Sequence, residues 1–167
     1  ENFVGITLGT GIGTGIINGG FLIRDSHCGA GEFGMIPYLD ATYEDYCSGK
    51  FFQMKYNLKG TEVFSRAKEG NADALKIYEE FGHHLGNAVK TILYALDPDM
   101  VVFGGSISAA RPFFSQGLTD ELSGFAYPFV IEDLKIEYSD LTNSAILGAS
   151  ALFFDNMART GMVELKE

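Results

Sequence analysis

The sequence predicts an α/β domain in which a mixed sheet opens with antiparallel hairpins and is packed by helices. Residues 3–37 have the pattern of a strand, a glycine turn, a second strand, a tight turn and a third strand. Residues 74–96 carry apolar side chains at three- and four-residue steps, which is typical of a long amphipathic helix. Residues 100–103 form a short apolar run that ends in glycines. Strands and helices in this arrangement predict one sheet covered by helices.

The glycine turn that follows the first strand is a candidate phosphate site. Glycines stand at positions 9, 11, 13 and 15, and without a Cβ atom they let backbone N–H groups approach an anion. Thr10 adds a hydroxyl donor. The rival dinucleotide fingerprint needs Gly-x-Gly-x-x-Gly at the start of a helix, and this stretch lacks the gap and leads into a hairpin. A glycine-rich turn without a ligand remains the alternative.

The segments that follow are predicted from turn and cap residues. Asn18-Gly19 predicts a tight hairpin, because both central positions of a type I′ turn need a positive φ. Residues 43–58 predict a helix whose aromatic side chains favour core packing over ligand binding. Thr61 is the predicted N-cap of a short helix that ends at Gly70, and Asn71 is the predicted cap of the next helix.

The long helix is the clearest element of the sequence. Its apolar stripe consists of Ala74, Tyr78, Phe81, Leu85, Ala88, Ile92 and Leu96. Pro98 ends it, because proline disfavours the helical conformation at the preceding residue. Gly82 and Gly86 predict the close approach of another helix or strand, since glycine inside a helix costs about 1 kcal/mol relative to alanine. His83 and His84 are adjacent, so they are not an i, i+4 metal pair, and we expect them at the core edge or in solvent.

The remaining elements complete the α/β pattern. After the strand at residues 100–103 we predict a helix at residues 112–122, an edge strand at residues 134–138 and a helix rich in small residues at 145–157. In an open α/β sheet, a glycine turn after a strand places ligand contacts at the carboxyl end of that strand. The glycines after residue 103 are therefore a second candidate binding turn.

The composition is that of a globular protein without the charge for nucleic-acid binding. Of its 167 residues, 46% are apolar and 20% are charged. Twelve basic residues against 22 acidic ones give a net charge of −10, so we expect no nucleic-acid partner. Cys28 and Cys47 are too few for a disulfide scaffold and fit a reducing cytoplasm. No apolar run approaches the about twenty residues of a membrane helix, so we expect no membrane partner.

Several short motifs occur in the order that is typical of one family. They are Gly9-Thr10-Gly11-Ile12-Gly13, Gly29-Ala30-Gly31-Glu32-Phe33-Gly34, Glu44-x-Tyr46-x-Ser48-Gly49, Val101-Val102-Phe103-Gly104-Gly105 and Ala145-Ile146-Leu147-Gly148-Ala149. Together they make the chain resemble the ROK family of repressors, open reading frames and sugar kinases. That resemblance implies the actin-like ATPase (ribonuclease H-like) fold. It also implies a glucokinase-like activity, the transfer of a phosphoryl group from ATP to a hexose with Mg²⁺.

The resemblance also implies a division of the site. Thr10, Gly11 and Gly13 match the second phosphate-binding loop of the family. The residues that border the adenosine in the family match Gly104, Gly105 and Ser106. We expect a bulky substitution at Gly11 or Gly104 to abolish nucleotide binding before it unfolds the domain.

Glu32 and Glu44 match two sugar-binding glutamates of the family. A carboxylate accepts strong, charge-assisted hydrogen bonds from vicinal hydroxyl groups. Met35 stands where the family motif Glu-x-Gly-His has a histidine that contacts the sugar and a structural zinc, and the family's cysteine-rich segment is also absent. The resemblance is therefore to a zinc-free branch, with no structural zinc expected. For Glu44 alone, an exposed carboxylate at a helix start is the alternative.

The family's catalytic aspartate and first phosphate loop have no counterpart in this sequence. Asp25, Asp40, Asp99 and Asp140 are better explained as turn or cap residues. We therefore expect residues 1–167 to be the C-terminal, larger domain of a ROK-type kinase, with the N-terminal domain absent, and to be inactive alone. The resemblance also implies a homodimer. A sugar-sensing domain of a ROK transcriptional regulator and a catalytically inactive homologue are the alternatives.

Overall fold

The computed structural model describes residues 2–23, 26–27, 29–141, 147–148, 150–152, 155 and 157. Its strands are β1 (Phe3–Leu8), β2 (Ile12–Asn18), β3 (Phe21–Leu22), β4 (Pro37–Tyr38), β5 (Ala41–Thr42), β6 (Met100–Gly104) and β7 (Lys135–Tyr138). Its helices are α1 (Tyr43–Tyr46), α2 (Gly49–Tyr56), α3 (Gly60–Lys68), α4 (Ala72–Leu96), α5 (Arg111–Ser123) and α6 (Pro128–Asp133). Short 3-10 helices span Phe33–Met35 and Ser106–Ala110.

The main sheet is mixed, as the sequence predicts. Its strand order is β3-β2-β1-β6-β7, and β4 and β5 form a separate two-stranded ribbon. Strand β1 pairs antiparallel with β2 and parallel with β6, and β6 pairs parallel with β7. The predicted edge strand at residues 134–138 is β7, at one end of this order. Because β1 and β6 are parallel neighbours, with Thr7 opposite Gly104, their carboxyl ends lie at the same edge.

The tight hairpin between β2 and β3 is confirmed, but its central residues differ from the prediction. Asn18 pairs with Phe21, which leaves Gly19 and Gly20 as the two-residue turn. Both have positive φ, +59° and +82°. Asn18 therefore belongs to the strand, and the glycine pair supplies the left-handed conformations that a type I′ turn requires.

The single helix predicted for residues 43–58 is wrong, because the structure has two. Thr42 and Asp45 form a capping box at the start of α1. The Ser48 hydroxyl then accepts the N–H of Lys50 at 3.2 Å and starts α2. Thr61 is not an N-cap either: α3 begins one residue earlier, at Gly60, and its N-cap is Lys59, which makes no side-chain cap.

Helix α4 is confirmed from its cap to its packing. The Asn71 side chain accepts the N–H of Ala74 at 3.0 Å. Gly82 and Gly86 face α5: a Cβ atom on Gly82 would lie 2.8 Å from the backbone nitrogen of Leu118, and one on Gly86 would meet Glu121. The close neighbour that the two glycines predict is therefore a helix.

Aromatic side chains fill the space between the sheet and the helices. Those fully buried are Phe51, Phe52, Phe81, Phe103 and Phe114. The predicted core role of the aromatic cluster is confirmed for Phe51 and Phe52. At residues 145–157, the positions that the structure describes are helical, while residues 145–146 and 149 lie outside them. Among the described residues, no helix combines the length and the apolar character needed to span a membrane.

His84 lies at the edge of the aromatic core, where the sequence placed it as one alternative. Its Nδ1 is 3.1 Å from the Tyr38 hydroxyl, and its ring packs 4.7 Å from the Tyr46 ring. Nε2 is 3.4 Å from a carboxylate oxygen of Glu80 but lacks the geometry of a hydrogen bond. Burial lowers the pKa of His84, and the Glu80 carboxylate opposes this only in part.

We expect the protein to lose stability as the pH falls below the ordinary histidine pKa of about 6.5, because the unfolded chain then binds a proton that folded His84 resists. Melting temperatures at pH 7.5 and 5.5 measure this loss. His84→Gln should lower the melting temperature at pH 7.5 yet show a smaller further fall at pH 5.5. An equal fall in both proteins would contradict the assignment, since the carboxylates titrate at lower pH.

Candidate functional site

Two glycine turns lie beside each other at one edge of the sheet. Residues 9–11 follow β1, and residues 104–106 run from the end of β6 into the 3-10 helix Ser106–Ala110. Gly105 has φ +87°, and a Cβ atom on it would lie only 2.9 Å from the backbone carbon and nitrogen of Leu8. The parallel pairing of β1 with β6 thus brings together the two turns that the sequence proposes as binding elements.

The first turn is held by the residues that start α2. The Gly49 N–H donates to the Gly9 carbonyl at 2.7 Å, and the Ser48 hydroxyl donates to the Thr10 carbonyl at 3.2 Å. Within the described part of the chain, the N–H groups of Thr10 and Gly11 have no acceptor. The carbonyl groups are thus occupied, while amide donors remain available to a ligand.

Glu44 supports the same turn from the first turn of α1. One carboxylate oxygen accepts the N–H of Ile12 at 3.2 Å, and the other lies 2.6 Å from the Lys50 ammonium nitrogen. The hydrogen bond from Lys50, followed by that from Ile12, lowers the pKa of Glu44. A Cβ atom on Gly11 would lie 2.5 Å from the Glu44 carboxylate, so this glycine leaves room for the carboxylate.

A cavity of about 470 Å³ opens between the two turns and helices α2 and α3. Its apolar wall consists of Phe52, Leu58, Phe64, Tyr78, Ile107 and Ala110. Its polar lining consists of Gly9, Thr10, Gly49, Lys50, Gln53, Lys59, Gly60, Thr61 and Ser106. Among the residues that the structure describes, this lining contains two lysines and no acidic residue, although the chain carries a net charge of −10. The cavity therefore suits a ligand with an anionic part and an apolar or aromatic part.

The predicted nucleotide residues divide into two groups. Thr10 and Ser106 line the cavity. Gly11, Gly104 and Gly105 belong to the two turns without lining it, and Gly13 lies within β2.

Sequence reasoning missed the two lysines of the lining, Lys50 and Lys59. Lys50 directly follows Ser48-Gly49 in the first turn of a helix, which is a usable local signal. Lys59 carries no such signal.

The candidate sugar carboxylates lie outside this lining. Glu32 is exposed and precedes the 3-10 helix Phe33–Met35. Gly34 in that helix packs against Ile12, and a Cβ atom on it would lie 3.5 Å from the Cβ of Glu44. The segment that carries Glu32 therefore packs beside Glu44 at the base of the glycine turn. Met35 is 59% exposed.

Two of the four aspartates that the sequence assigns to turns or caps have structural partners. Asp40 accepts a hydrogen bond from the Tyr46 hydroxyl, and Asp99 accepts the N–H of Asn2 at 3.0 Å. Asp25 lies outside the described residues. Across the part of the chain that the structure describes, no group of three or more His, Cys, Asp or Glu residues could hold a metal ion.

This α/β domain, a mixed sheet with two adjoining glycine turns, has the fold of the actin-like ATPase class, which its solved structural neighbours share. The chain belongs to the ROK family, whose model matches residues 1–156. It is 25% identical to the glucokinase of Halalkalibacterium halodurans over 87% of this chain and 53% of that protein. It is also 25% identical to the glucokinase of Thermotoga maritima, over 91% of this chain and 58% of that protein. The chain thus spans a little over half the length of these relatives.

The fold is also that of a solved ROK protein. The ROK family glucokinase from Streptomyces griseus, solved in complex with glucose and AMPPNP, matches with a TM-score of 0.75. The match covers 87% of this chain and 57% of that chain at 20% sequence identity.

Proposed function

We propose that this chain is the nucleotide- and sugar-binding C-terminal part of an ATP-dependent hexose kinase. The observation that carries the proposal is the cavity between the glycine turns, which has two lysines and no acidic residue in an acidic chain. The names of the relatives support it, since two of them are glucokinases and a solved one holds glucose and AMPPNP.

The polar and the apolar lining of the cavity suit different parts of ATP. The free N–H groups of the first turn, together with Lys50 and Lys59, suit the phosphates, because phosphoryl transfer requires mainly positioning and electrostatic stabilisation. The apolar wall around Phe64 and Ile107 suits the base. Mg²⁺ would neutralise phosphate charge, and it would be held mainly by the phosphates because the lining offers no carboxylate.

Glu32 and Glu44 are the proposed ligands of the hexose hydroxyl groups. Two carboxylates on adjoining segments can accept from several hydroxyls of one sugar. The residue that removes the proton from the attacking hydroxyl is assigned to no position in this chain. We therefore propose that these 167 residues alone do not phosphorylate a sugar. We further propose that the complete protein is cytoplasmic and homodimeric.

Reversing the charge at Lys59 tests the nucleotide assignment. Calorimetry with AMPPNP and Mg²⁺ on the complete protein should show an affinity about tenfold weaker for Lys59→Glu, because a carboxylate would then face the phosphates. Lys76→Glu is the matched control, since Lys76 is exposed on α4 and outside the cavity. Equal affinities in all three proteins would contradict the assignment.

Sugar binding separates the kinase from the alternative functions. Thermal shift with glucose, mannose and N-acetylglucosamine, with and without AMPPNP, should show stabilisation by a sugar and by the nucleotide. Stabilisation by a sugar without any nucleotide binding would instead favour a sugar-sensing regulator. Turnover in a coupled assay by the complete protein, and none by residues 1–167, is the expected kinetic result.

A further inference from the structure

We propose that Lys50 is a positioning residue that moves between Glu44 and the nucleotide phosphates, and thereby couples nucleotide binding to sugar binding. This inference rests on the proposed function, since it takes the cavity for the nucleotide and Glu44 for the sugar. It adds a role for a residue that the sequence did not single out. In this exchange the Lys50 ammonium group leaves its ion pair with the Glu44 carboxylate and forms one with a phosphate. No covalent bond changes.

The geometry puts Lys50 between the two proposed ligands. It lies in the first turn of α2 and lines the cavity, and its side chain is 47% exposed. Its ammonium nitrogen is 2.6 Å from one oxygen of Glu44 and 3.9 Å from the nearest oxygen of Asp45. A flexible four-carbon side chain at the cavity wall can exchange one anionic partner for another.

Each carboxylate oxygen of Glu44 has its own partner in the structure. The first oxygen accepts the N–H of Ile12, directly after the glycine turn. The second is the one paired with Lys50, so it is the oxygen that a sugar hydroxyl would have to share or take over. A sugar on Glu44 therefore loosens Lys50, and a phosphate in the cavity draws Lys50 away from Glu44.

Both ligands thus disrupt the same ion pair. Whichever binds first must break it, and the second then finds it already broken. The two ligands therefore strengthen each other's binding, and by thermodynamic linkage the factor is the same in both directions. Exposed pairs of this kind are weak, so either ligand can break this one. The coupling cannot exceed the strength of the ion pair that is broken, so we expect a factor of at most about fivefold in affinity.

The test measures the affinity of the complete protein for AMPPNP with and without saturating glucose. In the wild type we expect glucose to tighten AMPPNP binding by about two- to fivefold, as far as one weak ion pair allows. In Lys50→Met the ratio should fall to about one, and in Lys50→Arg it should be retained, because the charge remains. Lys59→Met is the matched control: it removes a lysine from the same cavity that does not pair with Glu44. It should weaken AMPPNP binding and keep the ratio.

Two results would overturn the coupling while leaving the kinase proposal intact. One is a wild type that binds both ligands with no effect of glucose on AMPPNP affinity. The other is a Lys50→Met protein that keeps the full wild-type ratio. A wild type that does not bind AMPPNP would overturn the proposed function and this inference together. Glu44→Gln is the second variant: it keeps an acceptor for the Ile12 N–H, and it should also lose the ratio.

Discussion

Replacing Gly105 with alanine is expected to lower the free energy of unfolding by about 3 kcal/mol. Gly105 has φ +87°, a conformation that alanine adopts only with strain. Its new Cβ atom would press on the Leu8 carbonyl oxygen and lie 2.9 Å from the Leu8 carbon and nitrogen. Leu8 belongs to β1, which is paired on both sides, so its backbone cannot retreat without disturbing two strand pairings. Urea denaturation measures the loss.

Gly104→Ala is the matched control for Gly105→Ala. The substitution is the same and the residue is adjacent, but the nearest atom to the new Cβ would be the Ser139 Cβ at 3.8 Å, an ordinary contact. We expect a change within about 1 kcal/mol. Equal losses at the two positions would show that the contact with Leu8 does not decide the outcome. The space at Gly104 also makes it a suitable position for testing whether a bulky residue removes nucleotide binding before it unfolds the domain.

Local periodicity made most of the fold predictable. The long helix α4 follows from one apolar stripe, and the hairpin between β2 and β3 follows from the Asn18-Gly19 signal, although its central residues are Gly19 and Gly20. The sequence marked both glycine turns as binding elements, but their adjacency comes from the parallel pairing of β1 with β6, which the sequence did not specify. The sequence did not predict where two of the helices begin. A serine hydroxyl divides residues 43–58 into two helices, and α3 starts at Gly60 without a side-chain cap.

Only the part of the cavity that the glycine turns form could be predicted from the sequence. Its glycine turns carry a recognisable spacing, whereas Lys50 and Lys59 line it because the starts of α2 and α3 lie beside the first turn and the cavity. That arrangement depends on the packing of Phe52 against Tyr78 and Phe81 on α4, contacts between residues far apart in the sequence. A periodic pattern shows which face of a helix is apolar, but it does not show where the polar residues beside that face will point.

Gly82 predicts a close neighbour without identifying it. The partner is Gly117 on α5, whose Cα would lie 3.1 Å from a Cβ atom on Gly82. The two glycines let the backbones of α4 and α5 approach each other directly. A glycine in a helix interior lowers helix stability, so two at one crossing indicate that close packing has a structural use there.

We expect Gly117→Ala to destabilise the protein by about 3 kcal/mol, although alanine favours the helical conformation by about 1 kcal/mol. The new Cβ atom would press on the Glu79 carbonyl oxygen, 3.0 Å from its carbon and 3.2 Å from the His83 nitrogen, so only a separation of the two helices relieves the contact. Thermal and urea denaturation measure the loss.

Gly86→Ala is the graded control at the same crossing. There the closest atoms to the new Cβ are the Cβ and Cγ of Glu121, at 2.6 Å and 2.8 Å. Rotation about χ1 moves the Cγ at the cost of the ion pair with Lys90, but the Cβ is fixed to the α5 backbone, so the two helices must also separate slightly. Because the contact with the Glu79 carbonyl at Gly117 is closer, Gly86→Ala should cost about 2 kcal/mol, less than Gly117→Ala. If Gly86→Ala were the more damaging change, the contact that limits the approach of the two helices would lie at Glu121 and not at Gly117.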